Sequence, residues 1–217
     1  LFLERLAPDD PGRYQTPQGW RSFTTRRETI HVAGESPVHH TVRQTRHGPV
    51  ISDVVPAADG LARTNQVVAL AWPALRTDDR TPDAIRLVNT AETVGGAMAA
   101  MDRAGSPHQN LFLADSEGHI GVIAAARVPI RKQGDGTVPR PGWTGAFDWT
   151  GTVPFDELPR SRDPRSGRLI NANNRLVGPD YPHLIAAHWP PPWRAERINR
   201  LLNQAKTPID AATLEGI

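Results

Sequence analysis

Residues 109–124, which read QNLFLADSEGHIGVIA, give the clearest fold signal in the chain. Two apolar runs, at 110–115 and 119–124, flank a short polar turn of Ser, Glu and Gly at 116–118. Apolar segments joined by a Gly-containing polar turn are typical of an antiparallel hairpin. The stretch therefore predicts two paired strands near the middle of the chain.

Other short β segments and a few helices surround this hairpin. The pattern predicts strands at 1–6, 28–32, 38–45, 66–72 and 168–170. It predicts a helix over 91–103 with Thr90 as N-cap, a second over 193–204, and a third that begins at Thr207-Pro208. Residues 129–164 are rich in Pro, Gly and Trp and have no periodicity, so we expect a long irregular segment there. The fold class predicted is α+β, loop-rich, with more strand than helix.

The composition excludes several classes of protein. The net charge is +2 and the 25 Lys and Arg residues are interleaved with acids, so there is no basic stripe for nucleic acid. Cys is absent, which excludes disulfides and thiol catalysis. We expect no membrane span and no partner membrane, because no apolar run approaches the required length. The chain opens at Leu1 and ends at Ile217 inside a predicted helix, so we expect residues 1–217 to be an internal segment of a longer polypeptide, truncated at both ends.

Self-contained metal or serine chemistry is not indicated by the motifs. The neighbours His39 and His40 would face opposite sides of a strand, and His183 and His188 lack an intervening acid and helical spacing. We therefore expect no metal site and no cofactor. None of the seven Ser residues lies in a Gly-x-Ser-x-Gly elbow.

The segment Asn171-Ala172-Asn173-Asn174-Arg175 follows the apolar pair Leu169-Ile170 and is unusual for a strand end. Asn is depleted in strands, and a buried amide needs partners for its donors and its acceptor. Either these amides brace a turn through the neighbouring backbone, or one of them points a neutral N–H group at an atom that acquires negative charge.

Several phrases, read in order, make the chain resemble the penicillin acylases, which are N-terminal-nucleophile amidohydrolases. Each phrase alone is weak, whereas the ordered set is specific. The matching phrases are FLERL at 2–6, RRETI at 26–30, TRHGPV at 45–50, AW at 71–72, QNLFLADSEGHIG at 109–121, PRPGW at 139–143, WTG at 149–151, LP at 158–159, DPRSG at 163–167, ANNR at 172–175 and WRAERI at 193–198. Relatives often have Asn where this chain has Asp163, which is a small departure.

The resemblance implies a fold and a function. It implies part of a four-layer α/β/β/α sandwich, with 1–217 as a single segment of the domain of the large (beta) subunit. In that family a zymogen cuts itself, and the new N-terminal Ser attacks the amide of an N-acyl compound such as a penicillin-like antibiotic. The implied partners are the rest of the precursor and a small N-acyl amide, and the implied location is periplasmic or secreted. The nucleophile is expected outside this chain, so the segment alone is predicted to be inactive.

The resemblance also implies roles for individual residues. By its place in the phrase, Asn173 matches the family's oxyanion Asn, and Arg194 matches the Arg that orients it. An ion pair of Arg194 with Asp180 or another nearby acid is the alternative. Asn171 and Asn174 are expected to brace the turn, and His47 is expected to be structural and to bond backbone. Relatives often bind calcium and place an aspartate shortly after the Tyr-Pro phrase, whereas this chain continues Tyr181-Pro182 with His183 and Leu184, so we expect no calcium here.

Two other functions remain open at this point. One is a non-catalytic binding or scaffold protein that retains the acylase fold. The other is an acylase for acyl-homoserine lactones or lipopeptides. The residues that would shape the acyl pocket are expected largely outside this chain.

Overall fold

The computed structural model describes residues 1–205 and 209–215. The chain divides into two compact units. The first unit comprises Leu1–Asp79 and Val128–Thr152, and the second comprises Arg80–Arg127 and Val153–Ile217.

Short strands outnumber helices in the described residues, as the sequence predicts. In chain order the strands are β1 (Phe2–Arg5), β2 (Arg13–Thr16), β3 (Gly19–Ser22), β4 (Thr24–Ile30), β5 (Val38–Thr45), β6 (Gly48–Pro49), β7 (Gln66–Ala69), β8 (Gln109–Ala114), β9 (Ile120–Ala125), β10 (Pro129–Arg131), β11 (Arg140–Pro141), β12 (Trp149–Thr152) and β13 (Arg160–Arg162). The α-helices are α1 (Pro56–Asp59), α2 (Thr81–Asn89), α3 (Val94–Ala100), α4 (Trp193–Gln204) and α5 (Ala211–Glu215). Single 3-10 turns lie at Pro73–Leu75, Met101–Arg103, Gly142–Thr144 and Phe155–Glu157.

The first unit is built from small sheets around an aromatic core. Strand β1 pairs antiparallel with β7 and parallel with β11, while β4, β5 and β6 form an antiparallel sheet. Strands β2 and β3 form a hairpin, and β10 pairs with β12. The core packs Tyr14, Phe23, Val50 and Val67 together. The strand predicted at 66–72 is shorter than expected, since β7 ends at Ala69. Trp72 lies beyond it and is 50% exposed.

The second unit is built on the hairpin predicted at 109–124, which the structure confirms. Strands β8 and β9 pair antiparallel, with Leu111 opposite Ile123, and β13 pairs on the other side of β9. Helix α3 packs against β9 so closely that a Cβ atom at Gly121 would lie 2.6 Å from Cγ1 of Val94. Glycine at position 121 is therefore required by the close approach of the helix to the sheet.

The helix predicted over 91–103 begins later than expected, and another helix precedes it. Thr90 lies at the C-terminal end of α2, where its hydroxyl donates to the carbonyl of Leu87. The N-cap of α3 is instead Thr93, whose Oγ1 accepts a hydrogen bond from the backbone N–H of Gly96. Thr90 and Thr93 both have cap chemistry, but Thr90 already forms the C-terminal cap of α2.

The strand predicted at 168–170 is wrong. Residues 163–192 contain no helix or strand. The Ser166 side chain competes for the backbone there, since its Oγ donates to the carbonyl of Arg168 and accepts from the N–H of the same residue. Such local bonds offer the backbone an alternative to a β ladder. The segment 129–164, in contrast, includes the short strands β10 to β13.

The helix predicted over 193–204 is confirmed as α4. The predicted start of the last helix at Thr207-Pro208 lies outside the described residues. Within the described residues, no helix is long and apolar enough to cross a membrane.

Candidate functional site

The Asn segment forms a tight turn in the second unit, and its asparagines brace one another. Asn173 has a backbone φ of 65°, in the left-handed region that Asn tolerates better than most residues. Oδ1 of Asn171 accepts a hydrogen bond from the backbone N–H of Asn173 at 3.1 Å, and Oδ1 of Asn174 accepts from that of Ala172 at 3.0 Å. The expected bracing roles of Asn171 and Asn174 are thus confirmed.

Arg194 reaches this turn from the first turn of α4. Its Nη1 donates to Oδ1 of Asn173 at 3.2 Å, and the same nitrogen lies 3.5 Å from the carbonyl oxygen of Ala172. Among the described residues, no carboxylate lies within ion-pair distance of Arg194, so the alternative pairing with Asp180 is not observed. The structure therefore brings together Asn173 and Arg194, which are 21 residues apart in the sequence.

The Arg194 contact decides which end of the Asn173 amide faces outward. Arginine has only donors, so the atom that accepts from it must be the amide oxygen. The Nδ2 group then points away, and none of the residues in the described ranges accepts a hydrogen bond from it. Asn173 is solvent-exposed, so this N–H group is available to another molecule.

Asn173 lines a cavity of about 370 Å³ in the second unit. Asn110 and Asn171 line the same cavity, together with His108, Gln109, Phe112, Ile185, Ala186, His188, Trp189 and Pro190. None of these described lining residues is Asp, Glu, Lys or Arg. Partial burial lowers the pKa of His108, which favours its neutral form. The cavity thus offers neutral donors, neutral acceptors and aromatic surface.

The arrangement can stabilise a developing negative charge. A neutral amide does not titrate near neutral pH, and here a guanidinium withdraws charge from its oxygen while the N–H group stays free. A fixed donor of this kind loses no energy to reorganisation when an oxyanion forms beside it.

His47 lies in the first unit and does not bond backbone through its ring, contrary to expectation. Its Nδ1 lies 2.6 Å from Oε1 of Glu4 and its Nε2 lies 3.0 Å from Oδ1 of Asp148. The ring also stacks on Phe2, with centroids 3.7 Å apart. The ring thus contacts two carboxylates, from residues that lie 43 and 101 positions away in the sequence. The expectation that His47 is structural agrees with this closed arrangement.

Arg46 completes the cluster around His47. Its two terminal nitrogens each lie 2.7 Å from one oxygen of Asp148, in a bidentate pair, and one also donates to the carbonyl of Gly142. Burial alone would raise the pKa of Asp148, but hydrogen bonds from Arg46 and His47 outweigh it and hold the pKa below its ordinary value. Glu4 is fully buried, and its Oε2 has no hydrogen-bond partner among the described residues.

A calcium donor set is not formed by the described residues. Three or more His, Asp or Glu side chains are nowhere grouped as they would be to hold an ion in the part of the chain that the structure describes. After Tyr181-Pro182, His183 directs its Nε2 at Oε2 of Glu157 instead of joining a carboxylate cluster.

Sequence reasoning missed Asn110, which lies on β8. Its Nδ2 donates to Oδ1 of Asn171 at 3.0 Å. The only signal was a polar residue at the start of an otherwise apolar strand, and polar strand ends are common.

The sequence profile of the penicillin amidase family matches residues 1–217. The chain is 34% identical over 207 residues to the acyl-homoserine lactone acylase QuiP of Pseudomonas fluorescens, with 95% of this chain and 25% of the relative covered. It is 35% identical over 217 residues to the penicillin acylase 2 proenzyme of a Pseudomonas species, with 98% and 26% covered.

A solved structure supports the same similarity. The thermostable penicillin G acylase from Alcaligenes faecalis superposes with a TM-score of 0.78 at 25% identity, over 94% of this chain and 35% of that chain. The chain spans about a quarter of the length of the relatives that it matches in sequence.

Proposed function

Because this chain belongs to the penicillin amidase family, we propose that it is a segment of an acylase that hydrolyses the amide bond of N-acyl compounds. The segment, residues 1–217, forms part of the domain of the large subunit. In this proposal the nucleophile is an N-terminal Ser from another part of the precursor, and Asn173 supplies a donor to the oxyanion.

The observation that carries the proposal is the contact between Arg194 and Asn173. Nucleophilic attack on an amide carbonyl places negative charge on the carbonyl oxygen, and this charge needs donors that are already aligned. Arg194 holds the oxygen of the Asn173 amide, and Asn173 lines the cavity. A donor with a fixed orientation, beside a space that can take a substrate, is what this chemistry requires.

The nucleophilic Ser needs a base, and in this mechanism the base is the α-amine of the same residue. A hydroxyl is a weak nucleophile at neutral pH, whereas a free α-amine with a pKa near about 8 can accept its proton through a water molecule. Attack forms the tetrahedral oxyanion. Its collapse breaks the C–N bond, leaves the acyl group as an ester on the Ser, and expels the amine, which takes the proton held by the α-amine. Water then hydrolyses the ester and releases the acid. Arg194 acts as a positioning residue in these steps, because it contacts Asn173 and not the reacting atoms.

The preferred substrate class is a linear N-acyl amide, of which penicillin-like antibiotics are one kind. An acyl-homoserine lactone is the second candidate, since one relative at 34% identity is named as an acylase for that class. The cavity lining also favours an uncharged group, because its described residues include no Asp, Glu, Lys or Arg. A lipopeptide is a further candidate substrate for such an acylase.

We propose the remaining features of the parent protein from its resemblance to the family. We propose the four-layer α/β/β/α sandwich, for which the mixed strands and helices of both units are suitable components. The partners are the small subunit and the rest of the large subunit of the precursor. The location is periplasmic or secreted, as the family resemblance implies.

The experiment replaces Asn173 in the full-length, processed enzyme. Asn173→Ala removes the donor, but Ala is strained at a φ of 65°, so Asn173→Gly is the cleaner change. We expect kcat for a chromogenic N-acyl anilide to fall by about 10²–10³-fold, with folding close to unchanged. The control is Asn203→Ala on α4, since Asn203 accepts a single hydrogen bond from Arg168.

Two outcomes would contradict the proposal. If kcat falls by less than about tenfold in Asn173→Gly, the oxyanion role is wrong. If the parent precursor has no Ser at its processing site, a non-catalytic scaffold that retains the fold is the better explanation, and the parent enzyme should then show no turnover at all.

A further inference from the structure

The left-handed backbone of Asn173 is held by a side chain two residues earlier. Oδ1 of Asn171 accepts from the Asn173 N–H at 3.1 Å, which closes a local turn of the Asx type. A non-Gly residue at a φ of 65° keeps this conformation only where surrounding contacts impose it. The direction in which the Asn173 amide leaves the backbone thus depends on the carboxamide of Asn171.

The carboxamide of Asn171 is oriented in turn from the sheet. Nδ2 of Asn110, on β8, donates to the same Oδ1 at 3.0 Å from 61 residues away in the sequence. Asn110 is paired in register with Ala124 on β9, so its backbone belongs to the ladder. Rotating the Asn171 amide by half a turn would bring its NH₂ group against two donors, and Asn110 prevents this rotation.

Asn173 is therefore fixed from two directions. Asn110 and Asn171 hold its backbone, while Arg194 holds its side-chain oxygen at 3.2 Å. Both supports leave the Nδ2 group free. Catalytic geometry is sensitive to errors of about 1 Å, which can cost about 10²-fold in rate, so the supports of a donor matter as much as the donor.

We propose that Asn110 and Asn171 are positioning residues for the reaction, and that they act by setting the orientation of the Asn173 amide. This inference rests on the proposed function. It adds that the relay from strand β8 through Asn171 to Asn173 controls kcat, although neither relay residue donates to the oxyanion.

The test is a double-mutant cycle in the full-length, processed enzyme with a chromogenic N-acyl anilide. We expect Asn171→Ala to lower kcat by about 10- to 100-fold and to change KM by less than about threefold. In the Asn173→Gly background the same change should cost less than about twofold, because the amide that it positions is gone. An equal loss in both backgrounds would overturn the proposal.

Two further variants distinguish a loss of positioning from a loss of folding. Asn171→Asp keeps an oxygen acceptor for both Asn173 and Asn110, and it should retain kcat within about tenfold of the parent enzyme. Asn110→Ala removes only the support from the sheet, and its loss of kcat should again vanish in the Asn173→Gly background. If Asn171→Ala gives no folded enzyme, the cycle with Asn110→Ala decides the question.

The failure of this inference differs from the failure of the proposed function. If Asn173→Gly alone leaves kcat within about tenfold, the oxyanion role is wrong and the relay has no catalytic donor to position. Suppose instead that Asn173→Gly lowers kcat strongly, and that Asn171→Ala and Asn110→Ala lower kcat by the same factor with or without Asn173→Gly. Then only the positioning role is wrong. Asn203→Ala, on the same unit, should leave kcat unchanged in both backgrounds.

Discussion

Each unit of the chain concentrates polar side chains beside a turn, and the two clusters differ in what they leave unused. In the first unit, His47 faces Glu4 and Asp148, and both of its ring nitrogens are engaged. In the second unit, Arg194 holds the oxygen of Asn173 while the N–H group of that amide remains free. We call the first cluster closed, because both ring nitrogens of His47 are engaged, and the second open, because the Nδ2 group of Asn173 has no partner among the described residues.

This difference indicates that the first cluster contributes to stability and the second to chemistry. Glu4 is fully buried and its Oε1 is paired with His47, so removing His47 leaves a buried carboxylate without that partner. A neutral amide at the surface adds little to stability, but a free donor can bind a developing oxyanion. Changes in the first cluster should therefore affect folding, and changes in the second should affect turnover.

The largest expected effect concerns activity. The 217-residue chain by itself should show no hydrolysis of N-acyl amides, because the open cluster provides a donor but no nucleophile in our proposal. The measurement is release of a chromogenic amine over an extended incubation, with the full-length processed enzyme as the positive control. Turnover by the isolated chain would show that the second cluster is a complete site.

The next effect concerns His47 in the closed cluster. His47→Ala should lower the free energy of unfolding by about 3–5 kcal/mol, because it strands the buried carboxylate of Glu4. Urea unfolding of the full-length enzyme measures this loss. His39→Ala is the matched control, since His39 is exposed on β5 and, among the described residues, its ring bonds Oγ1 of Thr29. A loss below about 1 kcal/mol for His47→Ala would remove the contrast between the clusters.

A smaller effect is expected from crowding the same cluster. A Cβ atom at Gly142 would lie 2.3 Å from Oε2 of Glu4, so Gly142→Ala should cost about 1–3 kcal/mol of stability. Gly151→Ala, in the same unit, is the control because nothing lies within 4 Å of its added Cβ atom. Equal melting temperatures for the two variants would show that the cluster yields easily to added volume.

The smallest expected effect is a change in the melting temperature at acidic pH. The pKa of Asp148 in the folded protein lies below its ordinary value of 3.8, so the unfolded chain binds more protons in that region. The stabilisation is complete above pH 3.8 and is lost as the pH falls through the lower folded value. Asp148→Asn should flatten the fall in melting temperature below pH 3.8. Parallel curves for both proteins would contradict the lowered pKa.

Local pattern was sufficient where neighbouring residues alone determine an element. The hairpin of β8 and β9 and the amphipathic helix α4 follow from alternation, a polar Gly turn and helical spacing over a few residues. Prediction failed at 168–170, where the Ser166 hydroxyl takes the backbone groups that a strand would use. It also misplaced the N-cap of α3, because Thr90 and Thr93 have the same local chemistry.

Contacts between distant residues were beyond the reach of local pattern. The ring of His47 bonds carboxylates that are 43 and 101 residues away, and Asn110 meets Asn171 across 61 residues. No spacing rule links positions so far apart, because only the pairing of strands and the path of the loops bring them together.

The sequence by itself determined the family, the hairpin at the centre of the second unit and the choice of Asn173 as the residue of interest. These depend on the order of phrases and on local periodicity. The tertiary structure decided which atom of Asn173 is free, because Arg194 reaches its oxygen from a separate helix. It also decided that His47 is closed off by two carboxylates. A hydrogen bond depends on where both partners lie in space. The sequence gives only their positions along the chain.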